Sequence, residues 1–104
     1  KINDQIEAFA ISSVFSNSIK APLVSSTKSM HGHAMGASGA IELLSCIYAL
    51  NHNVVVPTIN VIKEDPELKI NLINNVPRDA NVDVAMSNAF AFGGLNSVVI
   101  LKSI

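Results

Sequence analysis

Charge is scarce in this 104-residue sequence. Asp, Glu, Lys and Arg make up 14% of it, against roughly 25% in ordinary soluble domains. Seven basic residues face eight acidic ones, a net charge of −1, so no cationic surface for nucleic acid is predicted. The single cysteine, Cys46, excludes an internal disulfide framework and a cysteine-cluster zinc site. A signal peptide is not predicted, since Asp4, Gln5 and Glu7 interrupt the first turns. A membrane span is not predicted either: the weakly charged run Ala34 to Asn51 carries Glu42 in its middle, beside Gly36, Ser38, Gly39 and Ser45. The expected compartment is a reducing cytoplasm. Apolar residues, by contrast, make up 49%, which excludes intrinsic disorder. So small a domain keeps much of its surface in water. So few charges then predict that other protein covers part of it. With Lys1 in place of an initiating Met, the sequence reads as a fragment or an obligate partner.

No repeat or low-complexity tract is present. Ile6, Phe9, Ala10 and Val14 recur at helical spacing behind Asp4 and Glu7, which predicts a helix over Asn3 to Phe15. Pro22 to Ser26 reads as a short extended stretch, and Thr27 to His33 as a loop. A second helix is predicted over Ala34 to Leu50, closed by Asn51-His52-Asn53. Its small residues, Gly32, Gly36, Gly39 and Ala40, would let a neighbouring backbone approach closely. Pro57 makes Val54 to Ile62 a loop or sheet edge. Leu68, Ile70 and Leu72 alternate with polar residues, a half-buried strand. Two more strands, Val82 to Ser87 and Ser97 to Lys102, flank a loop over Asn88 to Asn96 and are expected to run antiparallel. The order α, β, α, β, β, β predicts a mixed α/β fold.

Three features could carry chemistry. Lys28 and His33 stand five apart on the loop before the second helix. A neutral imidazole there could donate a hydrogen bond to a carbonyl or accept a proton; the plainer reading is a structural histidine. Glu42 is the one charged residue of an apolar helix. Buried, it needs a partner, with Lys28, Ser87 and Asn88 the candidates. Otherwise it lies on an exposed stripe with Ser38, Ser45 and His52. Gly93-Gly94 makes either a tight turn or part of a mobile aromatic gate around Phe92, with amides facing an oxyanion. Cys46 has no cation in the adjacent turns and reads as a small hydrophobe, not a nucleophile. His31 and His33 lack a third metal ligand at a sensible spacing, and no phosphate-binding loop is present.

Four segments in order carry a resemblance: Val24-Ser25-Ser26-Thr27-Lys28-Ser29-Met30-His31-Gly32-His33, Gly36-Ala37-Ser38-Gly39-Ala40-Ile41-Glu42, Pro57-Thr58-Ile59-Asn60, and Ser87-Asn88-Ala89-Phe90-Ala91-Phe92-Gly93-Gly94-Leu95-Asn96. From about Asn3 onward the chain resembles the C-terminal part of β-ketoacyl-acyl-carrier-protein synthases, particularly the type II fatty-acid elongating enzymes. The resemblance implies that residues 1–104 are the C-terminal half of a thiolase-like α-β-α-β-α layered fold, its N-terminal half absent. It implies decarboxylative Claisen condensation of malonyl-carrier with an acyl thioester, by a nucleophilic Cys and two His. His33 matches the second catalytic His, Lys28 the lysine that orders the histidines, and Glu42 the glutamate supporting them. Phe92 matches the gating phenylalanine that lends its N–H to an oxyanion hole, with Gly93 beside it at the substrate.

Ser87 and Asn88 are candidate co-ligands of Glu42 or of a structural monovalent cation; no other cofactor or metal is implied. The expected partners are acyl carrier protein, acyl and malonyl thioesters, the missing N-terminal half and a second copy in a homodimer. The nucleophile and first His of the family would lie upstream of Lys1, so the fragment alone is expected to be inactive. Ala91 and Leu95 stand where Gly and Thr are usual, and a methyl at position 91 would stiffen the gate. Two rival readings remain open: a chain-length or decarboxylating subunit of a polyketide system, and a non-catalytic half-fold that only pairs with another chain.

Overall fold

The computed structural model describes residues 2–104. Helix α1 (Ile2–Val14) forms where its spacing and first-turn Asp4 predict. It turns an unexpected face inward. Ala8 is buried, with Ile11 and Phe15 partly covered, while Ile6, Phe9 and Val14 are exposed. Strand β1 (Leu23–Val24) follows, and then one helical turn, α2 (Lys28–His31), where a plain loop is predicted. A 3₁₀ turn over Met35–Ala37 leads into α3 (Ser38–His52), which starts four residues later than predicted. Asn53 stops α3 in the left-handed region (φ 56°), its N–H bonded to the Ala49 carbonyl at 2.9 Å. Its side-chain oxygen also accepts the Val82 N–H at 2.9 Å, tying the helix end to the start of the hairpin that follows.

Among the described residues the strands form three separate pairs. Strand β1 runs parallel to β3 (Asn71–Leu72), and β2 (Val54–Val55) antiparallel to β4 (Arg78–Asp79). Of the alternating stretch from Leu68, only the last two residues pair, because Leu68 N–H is held by the Asp65 carbonyl in a turn. Strands β5 (Val84–Ala91) and β6 (Leu95–Lys102) form the antiparallel hairpin that was expected, but longer at both inner ends. The predicted nine-residue loop shrinks to Phe92-Gly93-Gly94, with both glycines at positive φ (81° and 78°). Alternation of side chains explains the longer strands: Ala85, Ser87 and Ala89 are covered, while Val84, Met86 and Phe90 are exposed.

Helix α3 packs on β5, β2 and β6, giving the predicted α/β layering. Ala8, Ala49, Pro57 and Ile73 are the buried apolar residues among those described, with Ile73 bonded through its N–H to the Val24 carbonyl at 2.9 Å. A methyl group placed on Gly36 or Gly39 would meet no atom within 4 Å. The close neighbour predicted for that small-residue stripe is therefore not within the described chain.

Candidate functional site

The junction of α2 and α3 collects most of the polar groups singled out by sequence. Thr27, 8% exposed, opens the turn; Met30 N–H bonds to its carbonyl at 2.9 Å, and Gly32 N–H to the Lys28 carbonyl at 2.8 Å. Gly32 then takes φ 74° and ψ −173°, a conformation essentially restricted to glycine. That reversal delivers His33 to the mouth of α3. Met35 also lies at positive φ (50°), which costs an L residue about 1–2 kcal/mol. Its N–H donates to His33 Nδ1 at 3.0 Å, and the hydroxyl of buried Ser38 sits 3.3 Å from the same nitrogen. With Nδ1 accepting, the neutral ring carries its proton on Nε2 and presents it from an exposed position. His31 instead folds back, Nε2 3.1 Å from Thr27 Oγ1.

Glu42 resolves between its two readings. Its side chain is 14% exposed and pairs with the Lys28 ammonium, joining α2 to α3. Ser87 and Asn88 lie half-buried in β5 opposite Val99 and Val98, and neither bonds to Glu42 among the described residues. Phe92 and Gly93 occupy the hairpin tip, Phe92 fully exposed, with no hydrogen bond to the α2–α3 junction among the described residues. Ala91 is extended and pairs with Leu95. The roles of Met35 and Ser38 were not visible in the sequence. Only the fold brings a positive-φ amide and a helix-opening hydroxyl to one ring nitrogen.

Burial, and then the negative charge of Glu42, push the Cys46 thiol up from its ordinary value. A raised pKa keeps it protonated at neutral pH, where alkylation needs the thiolate. Iodoacetamide labelling at pH 7 is expected to run slower than for the unfolded chain, and its rate to level off with rising pH only at a higher pH than for the unfolded thiol. Equal rates in the folded and unfolded states would contradict this.

Comparison with known proteins gives the site its context. A family model described as beta-ketoacyl synthase, C-terminal domain, matches residues 1–62. Nodulation protein E of Rhizobium meliloti is 45% identical over all 104 residues, which cover 26% of that protein. The 3-oxoacyl-[acyl-carrier-protein] synthase 1 of Buchnera aphidicola subsp. Baizongia pistaciae is 43% identical over 103 residues, 98% of this chain and 25% of that one. Among solved structures, the ishigamide ketosynthase/chain length factor superposes with a TM-score of 0.92 at 36% identity, over 100% of this chain and 25% of its own. The chain thus spans about a quarter of the length of the relatives it matches. Its α/β layering is that of a ketosynthase, thiolase-like fold.

Proposed function

The chain belongs to the β-ketoacyl synthase family, matched on its C-terminal domain, and from this premise we propose that the whole protein condenses malonyl-acyl-carrier protein with an acyl thioester. Fatty-acid chain elongation is the setting favoured, supported by the likeness to the Buchnera synthase. The observation that carries the proposal is the His33 ring: Nδ1 accepts the Met35 N–H, which leaves Nε2–H to donate from an exposed position.

The chemistry follows from that donor. As the bond from the malonyl carbon to its carboxylate breaks, carbon dioxide leaves and the electron pair passes into the thioester carbonyl. Negative charge grows on that oxygen, and His33 Nε2–H donates to it in the transition state more strongly than to the neutral carbonyl. The resulting carbanion attacks the acyl thioester carbon and expels its thiolate. Cys46 is protonated and half-buried, so the acyl-bearing nucleophile comes from outside these residues. Lys28, paired with Glu42, ties the α2 turn to α3 and holds it in place. At the hairpin tip, Phe92 and Gly93 offer backbone N–H groups and an aromatic wall to the acyl chain; Ala91 stiffens that gate. Of the residues named for a cation, Glu42 alone is charged and Lys28 already offsets it. The described residues do not by themselves make a cation site, and no step runs through one. Acyl carrier protein, a homodimeric assembly and a cytoplasmic setting belong to the same proposal. No helix of the described residues is long and apolar enough to cross a membrane.

A second reading, a chain-length or decarboxylating subunit, is favoured by the likeness to the ishigamide ketosynthase/chain length factor. Product analysis separates the two. The whole protein, given malonyl- and acyl-carrier protein, is expected to release carbon dioxide and form a β-ketoacyl product two carbons longer. Carbon dioxide without a condensed product, or repeated unreduced extension, favours the second reading. No carbon dioxide at all overturns both.

A further inference from the structure

The α2 turn is braced from a direction the catalytic proposal does not use. Ile73, the most deeply buried apolar residue, accepts the Thr58 N–H at 2.8 Å, and the Thr58 carbonyl accepts Asn75 N–H at 2.8 Å. Thr58 is thereby fixed to the parallel strand layer, and Pro57 before it is buried. Two hydroxyls, one on this anchor and one on the α2 turn, join it to the Lys28 segment. Thr58 Oγ1 accepts the Ser26 N–H at 2.8 Å. Ser29 Oγ accepts the Ile59 N–H at 2.9 Å and donates to the Ser26 carbonyl at 2.9 Å. A serine hydroxyl has one proton to give and lone pairs to accept, so both bonds of Ser29 are satisfied together.

These bonds bracket Lys28 in sequence, at positions 26 and 29, and join it to a segment thirty residues away. The rest of the turn is internally closed by the Thr27 and Lys28 carbonyls. The orientation of α2 relative to the core therefore depends on the two hydroxyls on one side and the Lys28–Glu42 pair on the other. We infer that Ser29 and Thr58 are positioning residues, a hydroxyl latch that sets Lys28, and through Gly32 the His33 ring, in the geometry for decarboxylation. The inference rests on the functional reading above. Without the latch the Ile59 and Ser26 amides lose their acceptors, and the turn can rotate about the ion pair. A displacement of an ångström at a hydrogen-bond donor is enough to cost rate.

The experiment uses the whole protein in three variants: Ser29→Ala, Ser29→Thr and Thr58→Val. Carbon dioxide release from malonyl-carrier and acyl loading of the nucleophile are measured separately. Ser29→Ala is expected to lower kcat for release about tenfold, with KM and acyl loading changed less than about twofold. Ser29→Thr, which keeps the hydroxyl, restores release to within about twofold of wild type, and Thr58→Val lowers it about threefold. Wild-type release by Ser29→Ala overturns the latch, as does an equal loss in both half-reactions that Ser29→Thr fails to rescue. If Ser29→Ala does not fold, Thr58→Val decides: unchanged release overturns the latch. Absence of release by the wild type removes the functional reading and the latch with it, an outcome distinct from all of these.

Discussion

Expressed by itself, the 104-residue chain is expected to aggregate or bind a hydrophobic dye strongly, and to melt without a cooperative transition. The reason is surface. Its accessible area is 7697 Å² for 11.0 kDa, whereas a free-standing folded protein of that mass exposes about 5,600 Å². The excess of about 2,100 Å² is more than twice the roughly 800 Å² that one partner buries in a standard interface. It is also apolar where it matters. On α1, Ile2, Ile6 and Phe9 form an exposed stripe, and on the open face of the β5–β6 hairpin Val84, Met86, Phe90, Val98 and Ile100 do the same. The described chain has no fully buried large side chain to set against that loss. Dye fluorescence and calorimetry check the expectation. A soluble monomer with a sharp, cooperative melt would contradict it and favour the rival half-fold module that exists by itself.

Low charge had already indicated a covered surface, and that much of the fold was legible because composition reports total burial whatever covers it. The helices were legible for the same kind of reason: α1 and α3 carry local spacing and polar ends. The inward face of α1 was not. The stripe Ile6, Phe9 and Val14 is its most apolar, yet the described chain packs against Ala8 and Ile11. Periodicity shows which face is apolar, not which protein it meets. Strand β4 was missed because Arg78 and Asp79 are both exposed and give no alternation. The early end predicted for β5 came from reading Asn88 and the glycines as loop formers, although the pleat continues through Ala91.

At the site, Lys28 and Glu42 were named as partners among several, because an isolated charge in an apolar helix requires a countercharge. The bonds from Met35 to His33 and from Ile59 to Ser29 had no sequence signal. Each joins a backbone amide to a side chain, and any residue has an amide.

Loss of the imidazole is the largest effect expected at a single position. His33→Ala in the whole protein removes the one donor proposed for the enolate oxygen. Removing such a donor costs about 100- to 1,000-fold in kcat elsewhere. The acyl-loading step forms no enolate, so it is expected to fall far less. KM for malonyl-carrier is expected to stay within a few-fold, because the bond strengthens only as charge develops. The pattern therefore separates a lost transition-state contact from a collapsed fold, which would depress both half-reactions together. Carbon dioxide release from malonyl-carrier by His33→Ala, set beside wild type, is the measurement to make. A fall of about 100-fold or more in kcat with loading largely retained is the expected result. Release at the wild-type rate would contradict the assignment of this chain as the decarboxylating part of a condensing enzyme.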